Sequence, residues 1–167
     1  GTTFTETATV GAPGGATDGK MAARPDGAWV VVGTPPGQVV NGMFLGARIT
    51  LDGKVDKMFP VGGGDPNLEN PMNGTLTAAS LGDQLAVAWV DYGGDKGPFI
   101  HVKVFDPDGN PTGQAQVFSG TSLSGAPSLL GSPSGDQLVL SWAETPDQGA
   151  GDGDKIRAVR IDCLPGL

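Results

Sequence analysis

Two acids stand at matching places in the chain. Asp91 and Glu144 each follow a tryptophan by two residues, Trp89 and Trp142, where an apolar alternating run gives way to a variable loop. Paired carboxylates at one loop face can divide general acid and general base work on a glycosidic bond. The same four residues can instead form a sugar-binding rim, with indole faces against C–H groups and carboxylates against hydroxyls. A structural reading stands beside both: the indoles fill space between packed sheets, and each acid caps a turn. The sequence sets no distance between the two carboxylates.

Other chemistry-bearing residues are sparse. Asp147, Asp152 and Asp154 share a glycine-rich stretch, DQGAGDGDK, that can offer oxygen ligands to calcium. It lacks the regular carboxylate spacing and distant Glu of a full calcium loop. Asp106 and Asp108 flank Pro107 ahead of Gly109, and that segment reads more simply as a tight turn. No other cofactor is indicated. His101, the only histidine, sits mid-strand between Ile100 and Val102, so a Ser-His-Asp arrangement has no natural centre. With one histidine and one cysteine, Cys163, a zinc site of the usual kind and an intrachain disulfide are both excluded. The Gly62–Pro66 segment, GGGDP, lacks the Lys-Ser/Thr of a phosphate loop.

The elements that must position these residues are strands. Of 167 residues, 29 are Gly and 14 are Pro, and 15 of the 18 acids are Asp. Asp, Gly and Pro break helices and build turns, which rules out a helical bundle or coiled coil. No apolar stretch approaches the 18 residues of a spanning helix, and the first residues lack a signal-peptide pattern. A net charge of −8 with ten scattered basic residues argues against nucleic acid and anionic membrane as partners.

One unit recurs along the chain. Gly82–Tyr92 (GDQLAVAWVDY) and Gly135–Thr145 (GDQLVLSWAET) align at an offset of 53. Asp26–Thr34 (DGAWVVVGT) fits as a diverged copy, with Trp29 at the Leu85 place and Gly33 at the Trp89 place. Downstream, Phe44–Gly53 aligns with Ile100–Gly109, and Ile156–Asp162 with Ile100–Asp106, at an offset of 56. Period-two alternation predicts strands in these runs. Asp52-Gly53 and Asp108-Gly109 predict hairpin turns leading to Val55–Val61 and Gln114–Ser119. Short first strands are expected at Lys20–Arg24, Thr75–Ser80 and Pro127–Ser132. The third copy stops before its fourth strand, while Phe4–Gly11 (FTETATVG) is an orphan strand that could complete it.

The segment Gly46–Val61 (GARITLDGKVDKMFPV), followed by a G-D-Q-L-x-V-x-W strand, resembles the blade repeat of secreted bacterial β-propeller proteins. The resemblance spans about residues 4–162 and is a matter of fold, since such blades carry no single activity. It implies an all-β chain of three four-stranded antiparallel blades, near 20–62, 75–120 and 127–162, with strand 4–11 completing the last. Because propellers close with four to eight blades, the expected partners are a second copy forming a six-bladed ring by strand exchange, or further blades of a longer protein. The alternative is a β-trefoil or β-prism closing within one chain. On this reading the chain is a non-enzymatic module of an exported bacterial protein (secreted, periplasmic or at the cell surface), holding a glycan or a protein through its blade loops. A polysaccharide-cleaving propeller enzyme and a purely structural surface repeat are the alternatives.

Overall fold

The computed structural model describes residues 18–33, 44–62, 75–91, 98–118, 122–123, 126–145 and 155–163. Among the described residues, twelve strands fall in three antiparallel sheets. Sheet 1 runs in order β1 (Asp18–Arg24), β2 (Gly27–Gly33), β3 (Phe44–Thr50), β4 (Val55–Gly62). Sheet 2 repeats the meander with β5 (Thr77–Leu81), β6 (Gln84–Asp91), β7 (Phe99–Phe105) and β8 (Pro111–Phe118). Sheet 3 orders β10 (Ser128–Gly131), β11 (Gln137–Thr145) and β12 (Lys155–Asp162), with the two-residue β9 (Ser122–Leu123) pairing the far end of β11. The first three expected strands of each unit are present, and β4 and β8 are the expected fourth strands of the first two. Among the described residues no strand lies outside β12. Phe4–Gly11 is outside the described residues.

The hairpin turns follow from their residues. At Asp108-Gly109, Gly109 adopts φ +76° and its N–H donates to the Asp106 carbonyl at 2.9 Å, a conformation that disfavours side chains with a Cβ. Asp106 also accepts from the Asn110 backbone and side chain, at 2.8 and 2.9 Å, and closes the turn. Gly53 at φ +79° does the same between β3 and β4.

Two apolar layers hold the sheets together. Between sheets 1 and 2, Trp29, Val31, Phe44, Phe59 and Val61 meet Leu76, Leu85, Val87, Trp89 and Phe105. Phe59 is the keystone: it packs edge-on to Trp29 (centroids 5.9 Å apart) and tilted against Phe105 (5.5 Å). Between sheets 2 and 3, Leu81, Ala86, Ala88, Val90, Ile100 and Val102 meet Leu138, Leu140 and Trp142. The short inner strands bring successive sheets closest. Gly131 in β10 lies so near β5 that a Cβ there would stand 2.0 Å from the Ser80 carbonyl oxygen. Polar ties reinforce the layers: Ser80 Oγ donates to the Ala23 carbonyl, Arg48 to the Pro107 carbonyl, and the Gly82 N–H to the Ser132 carbonyl.

One alignment is shifted. Arg24 pairs with Gly27 as Leu81 pairs with Gln84, so the two-residue turns place Trp29 at the position of Ala86, not of Leu85. A one-residue slip moves a strand residue to the opposite face. Trp29 therefore points from sheet 1 toward sheet 2, as Ala86 points from sheet 2 toward sheet 3.

Candidate functional site

The two candidate tryptophans, Trp89 and Trp142, do not converge: they lie in different intersheet layers. Trp89 is fully buried between sheets 1 and 2, stacked on His101 at 5.4 Å with rings 7° from parallel, and Lys103 Nζ lies 5.3 Å from its centroid. Trp142 is buried in the other layer, between sheets 2 and 3. Each indole thus fills intersheet space. Asp91 ends β6 opposite Phe99, and its side chain lies outside the described residues.

Glu144 is tied into the fold. Trp142 Nε1 donates to its Oε1 at 3.0 Å, and Arg157 Nε donates to its Oε2 at 3.0 Å. Adjacent positions on β11 and β12 create this geometry, since Trp142 pairs with Arg157 in the register. Burial alone would push the Glu144 carboxyl up. The bonds from Arg157 and Trp142, with the charges of Arg157 and Lys155, outweigh burial and leave it below the ordinary carboxylate range. A carboxylate held ionised with both oxygens engaged is poorly suited to donate a proton.

Among the described residues a concavity lies elsewhere, between sheets 2 and 3 at their turn ends. It holds about 500 Å³, the size of a small-ligand site. Its floor is aliphatic: Leu81, Val102, Val104, Leu138 and Ile161. Gln84, Thr112, Gln114, Ser134 and Asp162 supply polar groups at the rim. Cys163 also lines it; burial first, and then the charges of Asp162 and Asp136, push its thiol up and keep it protonated at neutral pH.

The repeat explains why the cleft is there. Between sheets 1 and 2, Phe59 meets Phe105 and fills the outer part of the layer. One sheet later the register places Ala115 at the Phe59 position, opposite Val102 as Phe59 is opposite Gly46. Ile161 takes the place of Phe105 at the offset of 56. The Phe105 ring is thereby replaced by a smaller aliphatic group, and nothing stands within 4 Å of a Cβ built on Gly113. No sequence motif marks this site, and of its lining residues only Cys163 stands out in the sequence. Its signal is a deficit of side-chain volume between aligned copies.

The calcium candidates Asp147, Asp152 and Asp154 lie outside the described residues. Among the described residues no three His, Cys, Asp or Glu side chains gather to hold a metal ion. No described helix is long and apolar enough to cross a membrane. No protein-family model matches the chain, and comparison with curated proteins and with solved structures returns no match.

Proposed function

We propose that the chain is a non-enzymatic binding module of an exported bacterial protein, built of propeller-type blades, with its ligand seated between the second and third sheets. The cleft over Gly113 is the observation that carries the reading. Its aliphatic floor suits the C–H face of a sugar residue, and the polar groups at its rim, Gln84 among them, suit its hydroxyls. A glycan is therefore the first ligand class to test.

Two features support blades. Three successive meanders stack in chain order, and the inner strand β5 touches both β1 and β10, as inner strands do around a propeller axis. Three sheets closed as a prism would each keep one face in solvent, whereas sheet 2 is covered on both faces, by sheet 1 and by sheet 3. The side of β12 on which no described strand lies is the place for an added fourth strand. The enzymatic alternative has less support, because Glu144 spends both oxygens on Trp142 and Arg157.

Gly113→Leu tests the ligand reading. The substitution fills the cleft, and the open space above Gly113 predicts an unchanged melting temperature. Glycan-array binding by the native chain and its loss in Gly113→Leu is the expected result. Binding that survives the filled cleft, or no glycan bound by the native chain, would overturn it.

A further inference from the structure

The step from sheet 1 to sheet 2 and the step from sheet 2 to sheet 3 use the same two kinds of face. The forward face of sheet 1 carries Trp29, Val31 and Phe44; that of sheet 2 carries the register equivalents Ala86, Ala88 and Ile100. Each meets a receiving face: Leu85, Val87 and Trp89 on sheet 2, and Leu138, Leu140 and Trp142 on sheet 3. One forward face and one receiving face are left over. Sheet 3 keeps a forward face, where Val139 holds the Ala86 position and Ile156 the Ile100 position, with Leu130 beside Val139. Sheet 1 keeps a receiving face, where Met21, Val30 and Met58 lie in one cross-strand row with Ala47.

Both leftover faces carry large apolar side chains open to solvent, although Ala47 and Val32 on the sheet 1 face are buried. Ile156 is 76% exposed, and Leu130, Val139, Met21 and Met58 are exposed as well. Large apolar side chains grouped in this way mark an interaction surface rather than scattered exposure. Arg160, the one charge in the row with Leu130 and Val139, is paired with Asp162 at 3.2 Å.

We infer that the free face of sheet 3 docks on the free face of sheet 1 in a second copy of the chain, head to tail, as a third use of the internal step. The two surfaces are the two halves of an interface the chain already makes twice within itself. The contact is heterologous, so each copy gives one face and receives the other, and two copies close when the rotation permits. The inference rests on the blade arrangement proposed above and not on the ligand, because Gly113 lies on the covered face of sheet 2. Gly113→Leu therefore leaves assembly intact even where it abolishes binding, and the two readings fail separately.

Sedimentation of the native chain at rising concentration, up to about 100 µM, reads the assembly. The expected product is twice the 16.8 kDa monomer mass. Leu130→Asp with Val139→Asp spoils only the forward face, and Met21→Asp with Met58→Asp only the receiving face. All four positions are exposed within the monomer, so each double variant keeps its melting temperature as a monomer. Each double variant alone is expected to be monomeric, while their equimolar mixture regains a dimer, because one intact forward face then meets one intact receiving face. A native chain that stays monomeric throughout overturns the inference. So does a double variant that assembles as the native chain does, which would mean that like faces pair with like.

Discussion

Replacing Glu144 with alanine separates the two bonds its carboxylate makes. The Trp142 indole N–H is buried and gives its hydrogen bond to Oε1 at 3.0 Å. Left without an acceptor, such a donor costs about 1–3 kcal/mol. The second bond goes to Arg157, whose side chain is 57% exposed. Solvent screening holds a pair of that kind to about 0.2–1 kcal/mol. The alanine variant should therefore lose about 1–4 kcal/mol, and at about 2–4 °C per kcal/mol for a chain of this size its melting temperature should fall by about 2–16 °C. Glu144→Gln keeps an amide oxygen for the indole and gives up only the charge, so its loss should stay under about 1 kcal/mol. Arg157→Ala should match the glutamine variant. Differential scanning calorimetry on the three proteins measures this ordering. Arg157→Ala costing as much as Glu144→Ala would refute the reasoning, because the exposed ion pair and not the buried indole bond would then dominate.

Three further outcomes are expected. Gly131→Ala forces β10 away from β5, since the new Cβ would stand 2.0 Å from the Ser80 carbonyl oxygen; a loss of about 3 kcal/mol or more by urea titration is expected. Phe59→Ala removes a buried ring that touches both Trp29 and Phe105, and should cost about 3–5 kcal/mol with a shift in near-ultraviolet circular dichroism. The third concerns acid. Glu144 has a folded-state pKa below its ordinary 4.5, so the stability linked to it is present above pH 4.5 and is lost as pH falls through the lower folded value. Stability measured from neutral pH down to strong acid should decline in that window, and Glu144→Gln should flatten part of the decline.

Much of the fold could be read from residues alone because its determinants are local. Alternation in Leu85–Trp89 and Ile100–Val104 reports strand period directly, and β6 and β7 enclose those runs. Asp108-Gly109 predicted a hairpin turn because its backbone conformation belongs to glycine, whatever packs nearby. The duplicated GDQL segments revealed the repeat, and with it the succession of similar antiparallel sheets. The candidate acids were legible as positions and not as roles. Trp142 and Glu144 are two apart in sequence, but Arg157, which decides the state of Glu144, arrives from another strand.

What tertiary structure alone decided is which face of each strand meets which neighbour. In Gly27–Gly33 the residues Trp29, Val30, Val31 and Val32 are all apolar, so a period of two cannot say which set points inward. The Arg24–Gly27 turn geometry settles that register and sends Trp29 toward sheet 2. The cleft is likewise invisible to local pattern. It lies where Ile161 of sheet 3 takes the place that Phe105 has in the preceding layer, beside a part of sheet 2 that carries Gly113. Side-chain volume matters only against what stands opposite, and what stands opposite comes from a strand about 50 residues away.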